Sequence, residues 1–194
     1  MPPKILRTLS NIVSTVGHPV LLVSVFVILV NFKEFGKEKA IELTLTALGV
    51  FVVPVVLYIL YKMKKGDYHN FDVSERKKRN SLYPVIIVLQ LILVGYLYFQ
   101  DYSWMVKSGV WASMVLTIGG FIINQKLKVS MHTTVSFFIA ILLVSVENTY
   151  AFSMLFFAMA IAYSRVQLGR HTFPEIVVGT LLGLFSGFVF HFIV

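Results

Sequence analysis

Seven apolar runs dominate the chain, at about 17–32, 41–61, 84–100, 104–123, 132–147, 150–167 and 174–193. At about 1.5 Å per helical residue, each is long enough to cross most or all of a hydrocarbon layer roughly 30 Å thick. Of the 194 residues, 57% belong to the apolar set and only 13% carry charge, whereas soluble domains hold about 45–50% and ~25%. One water-exposed core cannot hide that excess, so it must face lipid. The expected fold is all-α: a polytopic transmembrane helical bundle of about seven hydrophobic segments, six or seven of them spans, forming a single integral membrane domain over 1–194. The first run follows Lys4 and Arg7 but lacks a nearby small-residue cleavage site, so it is expected to be retained rather than removed as a signal peptide. With no cysteine, disulfides, thiolate metal sites and a cysteine nucleophile are excluded.

The polar remainder fixes the topology. Runs three and four are separated only by Asp101, Tyr102 and Ser103, and runs five and six only by Glu147, Asn148 and Thr149, so each pair predicts a tight helical hairpin. What is left is one long loop, 62–83, and two short ones, Asn124–Met131 and Ser164–Pro174. Two runs lie between successive members of this set, and two precede the long loop. Parity therefore places all three loops and the N-terminus on one face. That face collects thirteen Lys and Arg residues, against Lys33, Lys37, Lys39 and Lys107 on the other. The positive-inside rule then puts it in the cytoplasm of a multi-pass cell-membrane protein. The net charge of +8 thus records topology and contact with membrane lipids; no nucleic-acid partner is expected.

Ionisable residues gathered at helix ends in such a chain mark a functional site. The sharpest cluster is Ser164-Arg165, then His171, then Glu175 just after Pro174. Glu175 falls in the first turn of the last helix, where the dipole favours a carboxylate and where it can accept the ring N–H of His171. That bond fixes the imidazole tautomer and leaves the other nitrogen free as a nucleophile. Arg165 suits a phosphate oxygen. A second cluster, Lys128, Ser130 and His132, opens the fifth run; Ser130 is a natural N-cap, and free amides beside Lys128 make an anion cradle next to a possible general acid, His132. The third cluster, Arg76-Lys77-Lys78-Arg79, precedes Pro84.

These residues resemble the type 2 phosphatidic acid phosphatase superfamily, whose signature is K-x6-R-P, then P-S-G-H, then S-R-x5-H-x3-D. The third block is met by Ser164, Arg165, His171 and Glu175, with Glu for Asp. In the second, Ser130 and His132 are present, while Val129 and Met131 replace Pro and Gly. In the first, Arg79 stands for the arginine, Asp72 occupies the lysine position and the proline is displaced to Pro84. The resemblance spans about 79–183, taken as the phosphatase-like core. It also extends to a bacterial branch with a K-[IV]-S-x-H second block and an early His-Pro, here His18-Pro19.

The resemblance implies a metal-independent lipid phosphate phosphatase without cofactors. In it His171 attacks phosphorus to form a phosphohistidine, Glu175 orients it, and His132 protonates the leaving alkoxide and then activates water. Arg79, Ser130 and Arg165 hold the phosphate oxygens. Apart from the resemblance, we expect Lys128, or Lys77 or Lys78, to replace the missing lysine. The substrate would be the phosphomonoester or diphosphate of a phosphatidate-like or polyprenyl lipid. Two rivals remain: a catalytically inactive lipid-phosphate binding or transport protein, and a hydrolase of small soluble phosphates. By contrast, His18, His69 and His191 read as interfacial or hydrogen-bonded histidines, and Lys62, Lys64 and Lys65 as contacts to lipid headgroups. Gly179 and Gly183 read as sites of close helix packing.

Overall fold

The computed structural model describes residues 3–194. It is an all-α bundle of α1 (Lys4–Val16), α2 (Pro19–Glu34), α3 (Lys37–Ala47), α4 (Val53–Lys64), α5 (Leu82–Phe99), α6 (Trp104–Asn124), α7 (Met131–Leu142), α8 (Asn148–Gln167) and α9 (Phe173–Ile193). Among the described residues, five segments are long and apolar enough to cross a membrane: Lys37–Lys64, Lys78–Phe99, Trp104–Asn124, Asn148–Gln167 and Phe173–Ile193. A sixth results if α1 and α2, bent by 53° at Gly17-His18, count as one. Pro19 disfavours helical geometry at His18, whose ring instead caps α2 by accepting Val20 N–H on Nδ1 at 3.2 Å.

Two elements depart from the sequence reading. Residues 4–16, expected as part of the polar N-terminal face, form a helix: Ser10 and Ser14 are buried against α8, while Ile5, Leu9, Ile12 and Val16 form an exposed apolar stripe. The run expected at 132–147 is a 12-residue helix continued by a 3₁₀ turn at Leu143–Ser145, shorter than a full span. Because α7 is enclosed by α2, α6, α8 and α9, it has no need of the length that contact with lipid on every side would impose. Elsewhere, α3 and α4 are joined by a π-helical stretch at Leu48–Val52. Pro54 cannot donate to the carbonyl of Val50 and crowds it, and the helix widens there.

Nearly every residue of α7 is buried, and α9 is its closest neighbour. A Cβ added at Gly183 would lie 2.4 Å from the backbone oxygen of Thr134, and one at Gly187 would lie 2.6 Å from Ile141. Small residues at this spacing let the two backbones touch, as expected of Gly179 and Gly183. That contact sets the first turns of α7 and α9 side by side, and both carry candidate site residues. At the other end of the bundle Lys33 pairs with Glu147 at 3.1 Å, Tyr102 donates to Glu42 at 2.6 Å, and Trp104 Nε1 donates to the carbonyl of Ile193.

Candidate functional site

The spacing from Arg165 to His171 acquires its geometry from Gly169. At φ +64 it ends α8 in the left-handed conformation, and the amides of Arg170 and His171 fold back to the carbonyl of Arg165 at 3.0 and 3.3 Å. Arg165 on the last turn and His171 beyond it thus come to the same place. Thr172 and Glu175 form a capping box at the start of α9. Glu175 Oε2 lies 3.1 Å from Thr172 N and 2.8 Å from His171 Nδ1, where it takes the ring proton. The His171 side chain is 1% exposed, and its Nε2 is buried with no hydrogen-bond partner. Burial, with Arg79, Arg165 and Lys128 adding, pushes its pKa down to about 3, so the imidazole is neutral.

Ser130 caps α7 as the sequence predicts, its Oγ accepting from Thr133 N at 3.5 Å, and it is wholly buried. His132 follows in the first turn. Lys128 Nζ donates to the carbonyl of Arg170 at 2.9 Å, tying the α6–α7 loop to the α8–α9 loop. Burial lowers the pKa of Lys128, and Arg79 lowers it further.

The long loop closes over this end. Arg76 donates to the carbonyls of Asn124 and Gln125, and Asn124 Nδ2 returns a bond to the carbonyl of Arg76 at 2.9 Å. Buried Arg79 donates from Nε to Val73 O at 2.8 Å and from Nη1 to Val129 O at 2.6 Å. Val73 itself sits at φ +45, a strained conformation for a β-branched residue that costs roughly 1–3 kcal/mol. Next to it, Asp72 reaches into the site. Its Oδ2 accepts from Arg165 Nη1 at 3.0 Å, and its Oδ1 lies 3.5 Å from His18 Nε2 and 3.6 Å from His132 Nε2. Arg165 Nη1 also donates to Ser14 of α1 at 2.7 Å.

Arg79, Lys128, Ser130, His132, Arg165, His171 and Glu175, predicted from sequence, therefore meet at one end of the bundle. His18 and Asp72 are the residues that sequence reasoning missed. In sequence His18 reads as an interfacial or hydrogen-bonded histidine in an early His-Pro, and Asp72 as a mismatch to the lysine of the first block. His69 and His191 stand outside the site: His69 is exposed beside Glu75, and His191 contacts Ser145 and Ile141 at the other end.

Three buried atoms here lack a hydrogen-bond partner among the described residues: His132 Nε2, Arg165 Nε and His171 Nε2. Buried polar atoms are rarely left without a hydrogen-bond partner. Arg165 Nε and the two ring nitrogens, beside Arg79 and Lys128, suit an anion with several oxygens. His18, Asp72 and His132 also place donor atoms within 4.8 Å of one another, but a cation fits them poorly. His18 Nδ1 already accepts Val20 N–H, so the ring proton sits on Nε2, the atom that faces Asp72, and Arg165 is in contact.

Two cavities meet at this point. One, of about 410 Å³, begins at His18, Asp72, Arg79 and His132 and continues between apolar walls to Leu97, Ser103 and Phe190. The other, of about 480 Å³, lies beneath α1 and is lined by Asn11, Ser14, Asn70, Asp72, Arg165 and Arg170.

Comparison with known families decides the class. The family model of the PAP2 superfamily matches residues 99–194. The chain belongs to the PAP2 superfamily. Membership implies a phosphatase acting on phosphate esters, often those of lipids. No curated protein and no solved structure matches the chain. The matched region holds Ser130, His132, Arg165, His171 and Glu175, whereas His18, Asp72 and Arg79 lie before it.

The burial of His171 generates a direct check. Nitrogen NMR of the histidine rings should show His171 as a neutral imidazole protonated on Nδ1, with no titration between about pH 5 and 8; a midpoint near the ordinary value of about 6.5 would contradict its burial among cations.

Proposed function

We propose that the protein is a membrane-embedded phosphatase that hydrolyses the phosphomonoester or diphosphate of a lipid through a phosphohistidine on His171. The observation that carries this reading is the state of that residue. A neutral imidazole bonded to Glu175 through Nδ1 presents a buried, unpartnered Nε2 beside Arg79, Arg165 and Lys128. Such a nitrogen can attack phosphorus, and the cations meet the charge on the transferring oxygens. Phosphate oxygens would take Arg79, Arg165, Lys128 and the first-turn amides after Ser130. His132 gives a proton to the leaving oxygen and later takes one from water. No metal is required in this scheme.

His171→Ala should abolish the covalent intermediate and turnover. Glu175→Gln should be milder but large, since it misorients the ring without removing it. His132→Ala should depend on the leaving group, with a large loss on a lipid phosphate and a much smaller one on an aryl phosphate. Phosphate release by the purified variants, measured in chelator, tests all three. Equal losses on both esters would remove the acid assignment of His132. Full activity of His171→Ala, or inactivity of the unaltered protein on every lipid phosphate, would favour a lipid-phosphate binding protein.

The apolar cavity supports a lipid substrate, because it leads from the polar cluster toward the other end of the bundle. Gly109 lines it, and a Cβ there would meet open space. Gly109→Leu should therefore lower kcat/KM for a long-chain lipid phosphate about tenfold, the scale of one or two misfitted methylenes, and leave a short-chain ester within about threefold. Similar effects on both would mean that the tail lies elsewhere.

For orientation, the charge bias supports a site opening to the cytoplasm. In a chain without cysteine, Lys65→Cys on the exposed loop should resist an impermeant thiol reagent in intact cells and react after permeabilisation. Labelling in intact cells would reverse the assignment.

A further inference from the structure

His132 stands in an unusual surrounding for a group that must deliver a proton. Arg165 of α8, Arg79 before α5, His171 of the α8–α9 loop and His18 before α2 all face it. Two of these are fixed cations, and a further positive charge on His132 is repelled by them. A single carboxylate lies within 4.0 Å of it among the described residues, Asp72, at 3.6 Å from Nε2. The carboxylate is held from three sides. Arg165 donates to Oδ2, His18 Nε2 faces Oδ1, and the backbone behind it is turned by strained Val73, whose carbonyl is bonded by Arg79.

His18 is a directed partner and not an accidental neighbour. Its Nδ1 caps α2, which leaves the proton on Nε2 and aims it at Asp72. Its ring meets that of His132 edge to face, with centroids 5.1 Å apart. Thus His18 can donate to Asp72 but cannot neutralise it by accepting from it. The distances of 3.5 and 3.6 Å are longer than working hydrogen bonds, as is common before substrate tightens a site.

We propose that Asp72 is a positioning residue of the phosphatase reaction, keeping on His132 the proton that the leaving oxygen takes, with His18 holding the carboxylate for that task. The proposal rests on the phosphatase reading above. In the first step His171 Nε2 forms a bond to phosphorus and the bond from phosphorus to the ester oxygen breaks. The electron pair goes to that oxygen, which takes the proton of His132. In the second, water gives a proton to His132 and its oxygen bonds to phosphorus. The bond from phosphorus to nitrogen breaks and returns the pair to His171. The proton on His132 is thus spent and restored once per turnover, and Asp72 remains a carboxylate throughout. Arg165 keeps its unpartnered Nε for the phosphate while Nη1 holds Asp72.

The test uses the full chain in detergent, with an alkyl phosphate, whose alkoxide needs a proton, and an aryl phosphate, whose phenolate does not. For Asp72→Asn, kcat on the alkyl ester should fall at least about tenfold further than on the aryl ester, a part of the 10²–10⁴ that general acids contribute. KM should change less than kcat. Asp72→Glu should restore much of the ratio. His18→Asn, which can still cap α2 through its amide oxygen, should move the ratio in the same direction by less. In the double variant His132→Ala/Asp72→Asn, the alkyl loss should not exceed that of His132→Ala alone, because Asp72 acts through His132.

Equal losses on the two esters from Asp72→Asn, or a ratio for Asp72→Glu as depressed as that for Asp72→Asn, would overturn the assignment. So would a rise in kcat/KM for Asp72→Asn, which would make Asp72 an obstacle that phosphate displaces from Arg165. Activation of chelator-treated protein by zinc or manganese would also overturn it, by making the cluster a cation site. If the unaltered protein hydrolyses both esters while the ratio stays fixed, only the role of Asp72 fails. If it hydrolyses neither, the phosphatase reading fails with it.

Discussion

Arg165 is 2% exposed at the end of an apolar bundle, and an ion so placed costs several kcal/mol unless it is paired. Its partners come from far apart in the chain: Ser14 on α1, Asp72 on the long loop. Arg79 is similarly placed, and it bonds to carbonyls of its own loop and of the strand-like stretch before α7. Between helices in lipid there is little hydrophobic force to draw polar segments together. The guanidinium groups supply that closure. The charges that would grip phosphate are also the fastenings that draw α1, the long loop and the α6–α7 loop over the site.

That dual use explains how much of the site was legible. Lipid imposes apolar runs, so the helices could be read from composition, and their parity gathers three loops at one end. Local rules carried the next level: Ser130 caps α7, Glu175 lies in the first turn of α9 beside His171, and Gly183 permits contact with the Thr134 carbonyl. Each depends on residues within one turn of each other, or on a spacing that a helix enforces.

What could not be read depends on tertiary position. The exposed stripe of α1 is visible as periodicity once residues 4–16 are taken as a helix, but a polar face rich in serine makes sense only with α8 behind it. His18 looks like a cap because it is one, through Nδ1; its second nitrogen finds Asp72 only because the long loop folds back onto the start of α2. Arg76, one of four cations in a basic run, bonds the carbonyls of Asn124 and Gln125 at the end of α6. In a run of four cations, sequence does not tell which will point inward.

The two cavities give the position of His18 and Asp72 a further meaning. A lipid phosphatase must take an apolar tail on one side of the reacting phosphorus and must admit water and release inorganic phosphate on another. Here the apolar cavity leads into the bundle, the polar one lies under α1, and His18, Phe71 and Asp72 line both. In the proposed reaction Asp72, at that boundary, would stand between the polar side and His132, which lines the apolar cavity. In a site crowded by Arg79, Arg165 and Lys128, a fourth cation would strengthen the hold on phosphate but leave His132 with no carboxylate to hold its proton. A carboxylate would make the opposite exchange: weaker attraction for the anion, and support for a proton on His132 against the burial and the cations that oppose it. In the proposed reaction that exchange would favour esters of poorly acidic alcohols, the kind of leaving group a lipid alcohol provides.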